Sequence, residues 1–463
     1  MRIHPTNTRT RLRSPSRNAG SRGPASHSSA SHSLASHSND DRGVIITLVS
    51  VFMLFVMGAM AALSIDVVTL YTARSEAQLA ADGAALAGAR ALANSGMTSK
   101  PTDALLTSNA ENIAIAVATQ VAKNNLVGGR DLATGEVTVS FPNSGSPDFG
   151  TDPQITVRVQ RTDLPTFFAR IWGSTQLTVT ASATAEAYNP SGANASFGTT
   201  TPVAPTCVKP WLLPNIDPTS PPLAPTTIFD STTGAITNVG LLGHTTSGQP
   251  NRFQPACQPD CSTPPLPNAS AYHYYPGDPA TTFPPPTQAL PSCIPVLTTP
   301  YQESVAGCIQ TPIACNSQAY IDIASNPTRN GETPDALNCL THCLNSDGDA
   351  VASPGGPVPP FQFLAGNDNP IAGAAGHDVM VSDSLVTVPV INVTSPVPPT
   401  NPVTIIGFVQ FFLNPAGTVS PTNGAPGSMR TQIINMVGCG TGATGQPILG
   451  NGASPVAVRL ISP

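Results

Sequence analysis

The segment LSIDVVTLYTARSEAQLAADGAALAGARAL, Leu63 to Leu92, decides how the rest of this 463-residue chain is read. It emerges from Val44–Ile65, 22 residues without a single Asp, Glu, Lys, Arg or His. At about 1.5 Å per residue, such a helix crosses a hydrocarbon core of ~30 Å. Beyond Asp66 the pattern is still helical. No proline occurs from Val67 to Ala93, the only glycines there are Gly83 and Gly88, and ten of the 21 residues from Ala73 to Ala93 are alanine, the best helix former. The span is therefore expected to continue outside as one Ala-rich helix. Ala73, Ala77, Ala80, Ala84, Ala87 and Ala91 recur at alternating steps of four and three, a seam of methyl groups that lets another helix approach closely, within the chain or from a second copy. Asp66 marks the end of the apolar run, because a carboxylate in hydrocarbon costs ~2.5 kcal/mol or more.

The flanks orient the span. Residues 1–43 carry seven arginines against Asp40 and Asp41, whereas residues 66–463 hold 13 basic and 24 acidic residues. The positive-inside rule then places the N-terminus in the cytoplasm and the bulk of the chain outside. The tail 1–43, with its ASHSSASHSLASHSND stretch, reads as basic, low-complexity and disordered. All nine cysteines, Cys207, Cys257, Cys261, Cys293, Cys308, Cys315, Cys339, Cys343 and Cys439, lie in the distal part, and 42 of the 50 prolines fall between residues 187 and 463. Segregation of thiols to one side of the span points to disulfides in an oxidising compartment. The C-x3-C pairs Cys257/Cys261 and Cys339/Cys343 are wider than the usual zinc knuckle, so no metal is assigned. A net charge of −6 argues against nucleic acid as a partner.

Arg42-Gly43 before the apolar run, then Asp66, Tyr71, Arg74, Gln78 and the AADGAALAGA block at Ala80–Ala89, make a combination that resembles the N-terminal domain of TadG-like proteins of the tight-adherence (Flp) pilus assembly system. The resemblance covers about Arg42 to Leu92. It implies a membrane-anchored, envelope-associated protein whose partners are other pilus or secretion proteins, or further copies meeting through the Ala-rich helix.

Residues 66–188 fit a membrane-proximal, pilin-like α+β domain. PTDALLTSNAENIAIAVATQVAKNNLVGG predicts a helix capped at Thr102 with Leu105, Ile113, Ala116 and Val117 on its apolar face. EVTVSF, QITVRVQ and TQLTVTASATAEA alternate as half-buried strands do, and Phe167, Phe168, Ile171 and Trp172 are expected to tuck beneath the sheet. A linker follows at 189–206. Residues 207–463 then read as a Pro- and Cys-rich, mainly-β extracytoplasmic domain, a sandwich or irregular sheet, with TTIFD, AITNVGLLG, DVMVSDSLVTVPVINVT, VTIIGFVQFFL, MRTQIINMVG and VAVRLISP as strands. The fold class expected is α+β: one transmembrane helix running into a long Ala-rich helix on a small antiparallel sheet, followed by that distal domain.

Catalytic signatures are missing: there is no G-x-S-x-G, H-E-x-x-H or G-x-x-x-x-G-K-[ST] run. Asn345, Asp347 and Asp349 have calcium-loop spacing, but Ala350 stands where the turn glycine belongs and Gly356 where the bidentate carboxylate belongs. Tyr272, His273, Tyr274 and Tyr275 cluster in an expected loop as a local packing group. No catalytic, cofactor or metal residue is nominated. The function expected is a non-catalytic, membrane-anchored accessory or structural component of a Flp-type pilus or envelope secretion apparatus; the alternative is a surface adhesin or ligand-binding module displayed on a membrane-anchored stalk.

Overall fold

The computed structural model describes residues 41–173, 175–191, 201–221, 224–243, 245–246, 249–255, 271–290, 293, 295–322, 326–342, 347–352, 359–394, 400–417, 428–442, 446–450, 452 and 454–462. The basic tail up to residue 40 and residues 192–200, half of the linker, lie outside them. Helix α1 runs unbroken over Asp41–Asn94, 54 residues. Ile45–Asn94 is apolar and long enough to cross a membrane. The chain divides at Met60 into two units. In the first, the side chains of Ile45, Leu48, Phe52, Leu54 and Phe55 are exposed, as lipid-facing groups are.

Ala61–Pro463 forms one compact unit. Within it α1 is followed by α2, Ala104–Lys123, which is capped by Asp103, whose carboxylate accepts the Leu106 N–H, and not by Thr102. Three antiparallel strands follow: β1 (Val137–Ser140), β2 (Gln154–Pro165) and β3 (Gln176–Tyr188). Their alternation of buried and exposed residues is what the sequence predicts, since one face packs on helix and the other meets solvent.

The distal strands are β4 (Trp211–Pro214), β5 (Gln249–Pro255), β6 (Ala271–Pro276), β7 (Leu385–Ile391), β8 (Val403–Leu413) and β9 (Met429–Gly438). They pair in the order β6-β4-β7-β8-β9-β5, and β5 pairs back onto β6 in parallel. The sheet is thus a closed six-stranded barrel. Closure removes its free edges, and with loops and helices covering the outside, β7 and β9 are buried along almost their whole length. That double burial explains why β7, LVTVPVI, reads as a near-continuous apolar run, whereas β9 buries the polar Thr431, Gln432 and Asn435. TTIFD and AITNVGLLG are not strands; they meet only at a single bridge, Phe229 to Ile236. Tyr272–Tyr275 lie in β6 and not in a loop, and Tyr274 and Tyr275 are core residues, Tyr274 with its ring 6.0 Å from Trp211.

Two short helices interrupt the tract that carries most of the cysteines. Helix α3, Pro300–Ala306, has a capping box between Thr299 and Gln302 with proline at its first position. Helix α4, Asn326–Thr341, contains Pro334. The final strand β10, Ala457–Ser462, does not join the barrel. It pairs antiparallel with β3, from Ala457 opposite Tyr188 to Ser462 opposite Thr184, giving the proximal sheet the order β10-β3-β2-β1. Within the segment 189–206, Val203–Ala204 pair in parallel with Ile448–Leu449 of the distal part. One buried cluster runs continuously from Ala73 through β2 and β3 to Phe408 and Cys439.

Candidate functional site

The segment that carries the sequence signature is α1, and the structure shows what each part of it touches. Of the alanine seam, Ala73, Ala77, Ala80, Ala84 and Ala91 are buried and Ala87 is half-buried. Burial is broader than the seam, because Ala81, Ala85, Ala89 and Ala93 are buried as well. The occupants of this surface belong to the same chain. A β-carbon built on Gly88 would lie 3.3 Å from Ala118 Cβ and 2.5 Å from Ile155 Cδ1, which places α2 and β2 directly against it. On α2 the contact row is Ala110, Ala114, Ala118 and Ala122, at strict four-residue steps and all fully buried. The face expected from bulkier residues is displaced: Leu105 is 73% exposed and Ala116 is exposed, while Ile113 and Val117 flank the buried row. Two Ala-rich helices approach through their smallest side chains, and larger residues are pushed to the rim of such a contact.

Asp66 has partners that the sequence does not reveal. Its Oδ1 accepts the backbone N–H of Phe167 at 3.0 Å, and its Oδ2 accepts those of Phe168 at 3.0 Å and Ala169 at 2.7 Å. Three donors on one carboxylate form a cradle of oriented amides that replaces water around the charge. The loop that offers them joins β2 to β3, and it is not tucked beneath the sheet: Phe167 is 62% exposed. The side chains of Ile171 and Trp172 lie outside the described residues. Further along α1, Glu76 accepts the Gly128 N–H at 2.6 Å, and Gln78 donates to the Ser182 carbonyl in β3 at 3.2 Å.

The far end of α1 is joined to the barrel. Asn435 in β9 donates from Nδ2 to the Ala93 carbonyl and to Gln410 Oε1, both at 2.7 Å. Ser99 accepts the Met436 N–H at 2.8 Å, Asn189 Nδ2 donates to the Met436 carbonyl at 3.0 Å, and the Gly438 N–H donates to Ser191 Oγ at 2.8 Å. All of these groups are buried. In a low-dielectric setting such bonds are stronger and leaving one unmade costs more, so they fix one geometry between helix and barrel.

Among the described residues three disulfides staple the distal part: Cys207–Cys308, Cys293–Cys339 and Cys315–Cys439. Cys257, Cys261 and Cys343 lie outside the described residues. Beside two of these bridges a cavity of about 230 Å³ is lined by Cys308, Cys339, Leu290, Leu340, His342 and Asp383. His342 Nε2 sits 3.1 Å from Asp383 Oδ2, and that carboxylate raises the imidazole above its ordinary value. Both cysteines in the wall are disulfide-bonded, so neither offers a thiolate. Asp349, from the stretch with calcium-loop spacing, spends its carboxylate on protein donors: the Gly366 N–H at 2.9 Å, Asn369 Nδ2 at 3.1 Å and Ser382 Oγ at 2.6 Å.

Residues 43–91 match the protein family described as putative Flp pilus-assembly TadE/G-like. That match covers the span, the Asp66 latch and most of the buried alanine surface. No curated protein and no solved structure matches the chain. The TadE/G-like segment thus supplies both the membrane-crossing length and the central helix of the unit that follows, and it supports a pilus-related component.

Proposed function

We propose that the chain is a membrane-anchored, non-catalytic accessory or structural component of a Flp-type pilus or envelope secretion apparatus, with its N-terminus in the cytoplasm and the body beyond Asp66 held outside the inner membrane. The observation that carries this reading is that the TadE/G-like helix is built into the body. Its buried alanines lie in the core, Asp66 holds the β2–β3 loop, and Asn435 ties its last turn to the barrel. Within the body, the helix from Ala61 onward is held to the proximal sheet and the barrel by packed side chains and buried hydrogen bonds. This favours a rigid envelope component over a binding module on a separate stalk.

The test is chromosomal deletion with complementation by the full chain or by residues 61–463 exported behind a cleavable signal peptide. Surface pili should be lost on deletion and restored by the full chain alone. Normal piliation in the deletion strain would refute the proposal, and normal pili with impaired adherence would favour an adhesin.

A further inference from the structure

The carboxylate of Asp66 directly follows the uncharged run, at the depth where an ionised group is expensive, and it is buried under three backbone amides from a loop about a hundred residues away. Those amides bind the loop to α1 at the level where the span ends. What the loop displays there is specific. Phe167, whose N–H holds Oδ1, points its ring outward, and Arg170, in the turn Ala169–Trp172, is also exposed. On the same stretch of α1 the side chains of Leu63, Ile65, Val67, Val68 and Tyr71 are exposed. An aromatic and an arginine next to the end of a membrane span are the groups that partition to the headgroup boundary, the ring into the acyl edge and the guanidinium onto lipid phosphate.

We infer that the β2–β3 loop, Thr166–Gly173, is a second membrane contact: a lip that Asp66 holds against the phospholipid surface, with Phe167 entering the interface and Arg170 on the headgroups. The occupant is lipid because the loop is held at Asp66, the residue that ends the uncharged run, and Leu63 and Ile65 of that run are exposed in the same unit as the loop, so the inference rests on the anchored reading proposed above. The latch resolves the position of the acid. With its charge taken up by fixed amides, Asp66 stands at the boundary without drawing water to it, and it orients the loop besides. Two attachment points instead of one would stop the body from swivelling on its helix.

The experiment uses the full chain in vesicles of phosphatidylethanolamine and phosphatidylglycerol, with the photo-crosslinker p-benzoylphenylalanine placed singly at Leu54, Phe167 or Ile371. Leu54 lies in the span, and Ile371 is an exposed apolar residue of the distal part. Lipid adducts are expected at Leu54 and Phe167 and not at Ile371. Adducts at Leu54 without any at Phe167 overturn the lip while leaving the anchor intact. Absence at both positions overturns the anchor reading and the lip with it. In an Asp66→Asn background, where one amide N–H meets a donor in place of an oxygen, most of the Phe167 adduct should be lost and the Leu54 adduct kept. An undiminished Phe167 adduct there, in protein with a wild-type protease-resistance pattern, would remove Asp66 as the residue that positions the loop.

Discussion

The two glycines of α1 offer a controlled measurement of how closely the helix is packed. A β-carbon added at Gly83 meets nothing within 4 Å, whereas one added at Gly88 lies 2.5 Å from Ile155 Cδ1, 3.3 Å from Ala118 Cβ and 3.5 Å from the Ala114 carbonyl. Replacing glycine by alanine inside a helix gains ~0.8–1.0 kcal/mol from backbone entropy and solvation, whatever the surroundings. Gly83→Ala should therefore stabilise the protein by about 1 kcal/mol. At Gly88 the same gain is set against overpacking, typically ~1–3 kcal/mol, because Ile155 is fully buried and must change rotamer to admit the methyl. The expected result for Gly88→Ala lies between neutral and about 2 kcal/mol destabilising. Ile155→Val removes the colliding methyl and identifies the cause. In the wild type it should cost ~0.5–1.5 kcal/mol as a cavity, and in the Gly88→Ala background less or nothing, a coupling of at least ~0.5 kcal/mol. Denaturant unfolding of the detergent-solubilised full chain, followed by far-UV circular dichroism, measures all four variants. Equal stabilisation by both alanines, together with an unchanged cost for Ile155→Val, would refute the close contact of α1 with α2 and β2.

Other expectations concern the joints of the structure. Asp152 lies beside Glu186, and burial, followed by the charge of Glu186, lifts its carboxyl to about 7. The folded state therefore binds an extra proton between pH ~4 and ~7, so stability should fall as pH rises through that window, with a slope of at most ~1.4 kcal/mol per pH unit. Asp152→Asn should flatten that slope; an unaltered pH dependence of the unfolding midpoint would exclude Asp152 as its source. Asn435→Ala removes the side-chain donor to the Ala93 carbonyl, at ~1–3 kcal/mol, and should expose the end of α1 to protease before the proximal sheet. Joint replacement of Cys315 and Cys439 by serine opens a link between residues 124 apart and should cost ~2–4 kcal/mol, read as a lower thermal midpoint without reductant. Alkaline phosphatase fused after residue 190 should be active, and activity of a cytoplasmic reporter at that point would reverse the orientation.

Much of this architecture is written in local sequence. The uncharged run, the proline-free Ala-rich continuation and the alternation in β1–β3 each depend on neighbours a few residues apart, and each element formed where the pattern placed it. The capping box at Thr299–Gln302 was equally legible, although the prolines around it draw attention away. Helix α4 was not, because Pro327, Gly331 and Pro334 break its pattern and tertiary packing overrides local propensity. The thiol segregation pointed to disulfides, but pairing between cysteines 46 to 124 residues apart left no trace in spacing.

What only the tertiary structure decided is every feature whose partner is distant along the chain. The amides that hold Asp66 follow it by 101 to 103 residues. The strand that completes the proximal sheet comes at the other end of the chain, and the barrel closes through a parallel pair that no hairpin signal announces. Such contacts depend on which surfaces remain to be buried once local elements exist. A backbone amide carries no mark in the sequence of the carboxylate it will meet, so the sequence by itself determined the elements of this protein and the packing determined their joints.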